Sequence, residues 1–76
     1  MRMIADMETV QKFSRNVRLR RHQLNLSQEE LAERIGCHVN HIGRIERGQA
    51  DPSLSMIVRI SRALELTPID LLVDIS

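Results

Sequence analysis

The chain has 76 residues, 42% of them hydrophobic, with one Phe, no Tyr, no Trp and a single Cys, and its 11 basic and 10 acidic side chains leave a formal net charge of +1. It is expected to form one small domain over residues 1–76, near the lower limit for folding without a metal or disulfide. A lone Cys closes no internal bridge, no apolar run nears the roughly 20 residues of a membrane span, and the opening MRMIADMETV lacks the apolar stretch of a signal peptide, so a cytoplasmic setting is expected.

Every periodic stretch has a helical period, and no strand signal, repeat or linker interrupts it. Residues 1–7 read as a flexible N-terminal segment. A first helix is predicted from Glu8 or Thr9 to Leu24, with Val10, Phe13, Val17 and Leu24 on one stripe. Asn25 closes it in the left-handed conformation, and Leu26 folds back as the apolar contact of that cap. Ser27 with Glu30 forms a capping box, so Gln28 to Ile35 is the second helix. Gly36 stops it with a positive φ, and a third helix begins near His38 or Val39 and is closed by Gly48. Leu31, Ala32, Ile35, Ile42 and Ile45 then share an apolar seam between helices two and three. After a polar loop, Ser53 caps a fourth helix from Leu54 to about Leu64 that buries Leu54, Ile57, Ile60, Ser61 and Leu64. Thr67, Pro68 and Asp70 supply the cap, first-turn proline and early acid of a short fifth helix through Leu72 or Val73. The predicted class is all-α, a compact five-helix domain with a helix-turn-helix made by helices two and three.

A net charge of +1 hides a segregation. Met1 to Leu26 carries six basic side chains against two acidic ones, Ser27 to Gly48 three against four, and Gln49 onward two against four. Screening cuts off exposed charges beyond about 10 Å at ordinary salt, so local sign governs phosphate binding. Val39, Asn40, Gly43, Arg44 and Arg47 remain outward on the third helix, a set able to bond a base edge, touch a methyl group and neutralise phosphate. Arg44 can place two donors on guanine, Asn40 can pair with adenine, and Val39 offers a methyl surface to thymine.

The segments LSQEELAERIG, IGRIERG, PSL and ALELTPIDLL make the chain resemble the phage-repressor and Cro type (XRE-like) of helix-turn-helix DNA-binding domain, from about Phe13 to Leu72. The IG-x-IERGQ portion is similar as well to controller proteins of restriction-modification systems. The resemblance implies a lambda-repressor-like fold, Val39, Asn40, Gly43 and Arg44 as base-facing residues, and Gln28 against the DNA backbone at a helix N-terminus. His38, His41, Arg47, Arg15, Arg18 and Arg20 are further candidates for the phosphate footprint. Arg21 and Glu46 correspond to a structural ion pair bridging helices one and three. Glu29 and Glu33, four residues apart on helix two, match an acidic face that in lambda-type repressors touches RNA polymerase. Two positions depart from the pattern: Gly43 replaces a small polar residue and leaves room for close approach of backbone to DNA, and Glu65 stands where relatives commonly have a helix-closing Gly.

One recognition helix reads only a few base pairs, so binding as a homodimer to a two-fold site on double-stranded DNA is expected, with Leu66, Ile69, Leu72, Val73 and Ile75 as its apolar interface. An antitoxin or other protein-interaction module on the same fold is the competing reading. Cys37, His38 and His41 lie close together, but structural zinc takes four ligands and no second Cys is present, so neither a metal nor a cofactor is expected. No nucleophile sits beside a base and an orienting third group, so the chain is not expected to be an enzyme.

Overall fold

The computed structural model describes residues 2–73, with side chains described from residue 7, and those residues form five helices without a strand. These are α1 (Arg2–Gln23), α2 (Gln28–Ile35), α3 (Val39–Glu46), α4 (Leu54–Ala63) and α5 (Pro68–Leu72). The backbone is helical from Arg2, earlier than the Glu8 or Thr9 start predicted. The physical reason is that propagation onto an existing helix is far easier than nucleation, and neither Gly nor Pro stands in residues 2–7 to stop it.

Each later boundary has a chemical signature. Asn25 adopts φ +57°, and the Leu26 N–H reaches back to the Arg21 carbonyl at 3.1 Å, closing α1. Ser27 Oγ accepts from the Glu30 N–H at 2.9 Å while Glu30 Oε1 accepts from the Ser27 N–H at 2.8 Å. Gly36 takes φ +84°, and the N–H groups of Gly36 and Cys37 both bond the Ala32 carbonyl. His38 caps α3 through its ring: Nδ1 accepts from the Asn40 N–H at 3.0 Å, which leaves the ring proton of the neutral form on Nε2. Ser53 caps α4, and Asp70 Oδ2 accepts from both the N–H and the hydroxyl of Thr67 at the start of α5.

The carboxylates of Glu30 and Asp70 lie below their ordinary pKa values because each accepts hydrogen bonds from its cap residue, foremost from the backbone N–H. A depressed carboxylate stabilises the fold above its unfolded pKa and loses that contribution as pH falls through the folded value. Thermal melts of the intact domain are therefore expected to drop as pH is lowered below about 4. In Glu30→Gln, which removes the titrating group, the Glu30 share of that slope should vanish; an unchanged slope would rule the box out as its source.

The core consists of Phe13, Val17, Leu31, Ala32, Ile35, Ile42, Ile45, Ile60, Leu64 and Leu71. α2 packs on α3, α1 on α5 and α3, and α4 on α2 and α5, so α3 is braced from two sides. Leu54, predicted to be buried, is 76% exposed, and Ile57 is only half-buried. A Cα–Cβ bond tilts toward the helix N-terminus, so a side chain at the first position of α4 overhangs the loop instead of the core. Polar side chains join the elements where apolar ones cannot. Ser14 Oγ donates to the Ile45 carbonyl at 2.6 Å, and Asn16 Nδ2 reaches the carbonyls of Leu71 and Val73 at 2.8 and 2.6 Å. Arg59 Nη2 donates to the last carbonyl of α2, Ile35, and Arg34 Nη1 to the last carbonyl of α4, Ala63. These contacts match cations to the negative ends of two helices.

Candidate nucleic-acid interface

The outward surface of α3 begins with Asn40 and Arg44, both exposed and one helical turn apart. Together with Gln28, Val39, Gly43 and Arg47 they line a depression of about 350 Å³. Arg47 also lines a neighbouring polar depression with Gln11, Ser14, Arg15, Arg18 and Gly48. Arg15, Arg18, Arg47 and Arg44 thereby make one cationic strip from the middle of α1 to the middle of α3. Arg18 is tied in place by a hydrogen bond from Nη1 to the Glu46 carbonyl, and it remains exposed.

Beneath this strip lies a carboxylate. Glu46 is 2% exposed; its Oε2 accepts from Arg21 Nε at 2.6 Å and its Oε1 from Arg21 Nη2 at 3.0 Å. Gln28 Nε2 donates to the same Oε1 at 3.0 Å, and Arg21 Nη1 donates to the Leu26 carbonyl. The family resemblance implies the Arg21–Glu46 pair and sets Gln28 against the DNA backbone. In the structure its amide donor serves Glu46, which fixes the side chain at the entrance of α2. Helices one, two and three thus meet at a single buried anion.

The expected contact residues are not equally exposed. Gly43 was expected to face outward and is instead buried, because the Arg47 side chain folds back over it. Val39 and His41 are half-buried, Val39 against the core. Arg20 lies apart from the cationic strip: Nε donates to the Leu64 carbonyl at 3.0 Å, and the side chain borders a depression between α1 and α5 with Asn16, Leu19 and Asp70. Closing the end of α4 takes up the donor that was assigned to phosphate. Gln49, treated from sequence as part of a loop, accepts from Arg47 Nε at 3.0 Å through Oε1 and from Arg44 Nη2 at 3.2 Å through its carbonyl. In sequence it stands as the last residue of the IG-x-IERGQ portion, just after the helix-closing Gly48, with no sign of these contacts.

On α2, Glu29 and Glu33 are exposed. At the end of the chain Ile69, Leu72 and Val73 are 69%, 52% and 47% exposed, whereas Leu66 packs on the core, and Ile75 lies outside the described residues. Leu19, not anticipated, adds an exposed apolar side chain beside Val73. Burial pushes the Cys37 thiol up against a smaller opposing pull from Arg59, so it is protonated at neutral pH. Among the described residues no three His, Cys, Asp or Glu side chains are grouped to hold a metal ion, and no helix is long and apolar enough to cross a membrane.

Two short helices at a glycine turn, with the second braced by its neighbours and bordered by arginines, define a DNA-binding helix-turn-helix protein. The chain belongs to the helix-turn-helix family HTH_3, whose pattern matches residues 17–72, a family of DNA-binding transcriptional regulators and not an enzyme class. It is 39% identical over 61 residues to control protein C.SmaI of Serratia marcescens, covering 80% of this chain and 73% of that one. It is 44% identical over 61 residues to control protein C.BamHI of Bacillus amyloliquefaciens, covering 79% and 75%. The restriction-modification controller protein C.AhdI from Aeromonas hydrophila superposes with a TM-score of 0.79 at 37% identity, covering 82% of this chain and 94% of that one. A hypothetical transcription factor from Neisseria, NHTF, superposes at 0.87 with 28% identity over 92% and 80%.

Proposed function

We propose that this protein is a homodimeric control protein that sets transcription of restriction-modification genes by reading a two-fold operator in the major groove. The observation that carries the reading is the exposed pair Asn40 and Arg44, one turn apart on a braced helix and continuous with the cations of Arg47, Arg18 and Arg15. Asn40 and Arg44 have the donor and acceptor geometry for base edges, Val39 adds an apolar contact beside them, and the flanking arginines suit phosphates. The Nε2–H of His38 and the N-terminus of α2 beside Gln28 supply further donors to the backbone, with His41 at the margin. Ile69, Leu72 and Val73, exposed at the end of α5, are the dimer surface of this reading, and a two-fold pair of recognition helices on one face of the duplex calls for half-site centres about 34 Å apart. Exposed Glu29 and Glu33 are the acids positioned to meet RNA polymerase.

Selection of bound sequences from random duplex DNA, followed by titration of the winner at several salt concentrations, tests this reading. A two-fold sequence is expected, with affinity falling steeply as salt rises. Ile69→Asp combined with Leu72→Asp should give a folded monomer in sedimentation that has lost tight binding to the full site. A wild-type monomer that bound the full site as tightly would remove the dimer from the proposal.

A further inference from the structure

Gly43 occupies the interior of α3, where glycine is less favourable than alanine, and it is buried. A β-carbon at this position would stand 3.0 Å from Arg47 Nη1 and 3.8 Å from its Cζ and Nη2. A methyl there would press on the end of the guanidinium, which would have to give by a few tenths of an ångström. Gln49 holds the same group from beyond the helix end through Oε1, at 3.0 Å from Arg47 Nε, and holds Arg44 through its carbonyl, at 3.2 Å from Nη2. The backbone of Gln49 is itself fixed, since its N–H donates to the Arg44 carbonyl at 2.8 Å. Each arginine commits one N–H direction to Gln49. Both Nη groups of Arg47 and the Nε and Nη1 of Arg44 stay available for a nucleic acid.

We propose that Gly43 and Gln49 are positioning residues for sequence recognition, the first leaving the space and the second the anchor that keep Arg47 beside Arg44 before DNA arrives. The inference rests on the DNA-reading function proposed above. Arginine loses much rotamer freedom when it is fixed, so anchoring it beforehand removes part of that loss from the binding step. A phosphate contact also fixes the register in which base-reading side chains meet the base edges, so an Arg47 held in advance keeps Arg44 and Asn40 aligned and the device acts on selectivity.

The test uses the full chain, the duplex selected by wild type and a scrambled duplex of the same length. Gly43→Ala should raise the melting temperature, because alanine is the better helix former, yet lower the affinity ratio between the two duplexes about 2- to 10-fold. Gln49→Met, equal in length but without the acceptor, should lower the ratio similarly with no change in melting temperature. Gln49→Glu keeps an acceptor oxygen and should retain the ratio. In an Arg47→Ala background both Gly43→Ala and Gln49→Met should become silent. The proposal is overturned if Gly43→Ala leaves the ratio unchanged, or if its loss persists undiminished without Arg47, which would mean that a methyl at position 43 meets DNA directly. A wild type that selects no sequence sinks the DNA reading along with it, whereas selective wild type matched by every variant sinks the positioning role alone.

Discussion

Glu46→Ala is expected to lower the stability of the domain by about 3–5 kcal/mol, the usual cost of removing one partner from a buried ion pair. The Arg21 side chain is only 10% exposed and would keep a single strong acceptor, the Leu26 carbonyl, while the Gln28 amide would lose the oxygen it donates to. Small domains are stable by about 5–15 kcal/mol in total, so the loss is a large share of the whole. With about 4–8 °C per kcal/mol at this size, the melting temperature followed by circular dichroism should fall by about 12 °C or more. DNA binding would then disappear with the fold. Arg21→Met combined with Glu46→Leu removes both charges together and should restore much of the melting temperature. A fall of under about 5 °C in the single variant would show a hydrated pair of little structural weight.

Arg44→Ala should leave the fold intact and cost about 1–3 kcal/mol on the selected operator, confined to one base position. Its side chain is exposed, and its hydrogen bond to the Gln49 carbonyl lies at the surface. Alanine is moreover a better helix former than arginine. Arg15→Ala provides the contrast, because a phosphate contact weakens every sequence alike and lowers the salt slope by about one unit. If Arg44→Ala weakened all duplexes equally, its guanidinium would be bound to the DNA backbone and the assignment of base reading would move to Asn40.

The contrast between these residues shows what a sequence can display. Ser27, Glu30, Gly36, Asn25, Thr67 and Asp70 announce the helix ends because capping is local, with donor and acceptor within three or four residues. The seam of Leu31, Ala32, Ile35, Ile42 and Ile45 is legible for the same reason, as a period within two short helices. Glu65 shows a local signal replaced: it takes φ +61° in the place of a glycine, and the turn into α5 still closes with the Leu66 N–H on the Ser61 carbonyl at 2.8 Å. What the sequence conceals is the use of a long side chain at a distance. Arg20 and Arg18 have the same composition and the same helix, yet one ends on the Leu64 carbonyl and the other on that of Glu46. Gly43 lies on the outward face of α3 by helical period, and only the backward fold of Arg47 buries it. Asn16, which closes the end of α5 across 55 residues of chain, carries no sequence mark at all.

The crossed arginines Arg34 and Arg59 have a mechanical consequence. With α2 clamped to α4 at the Ile35 carbonyl, and to α3 through Gln28 and Glu46, the reading unit has no hinge of its own. A mismatch between the spacing of two recognition helices in the proposed dimer and the pitch of a straight duplex falls on the dimer seam and on the DNA, not on the helix-turn-helix. Base pairs midway between the half-sites, untouched by any side chain, would then govern affinity through the ease with which they bend or twist.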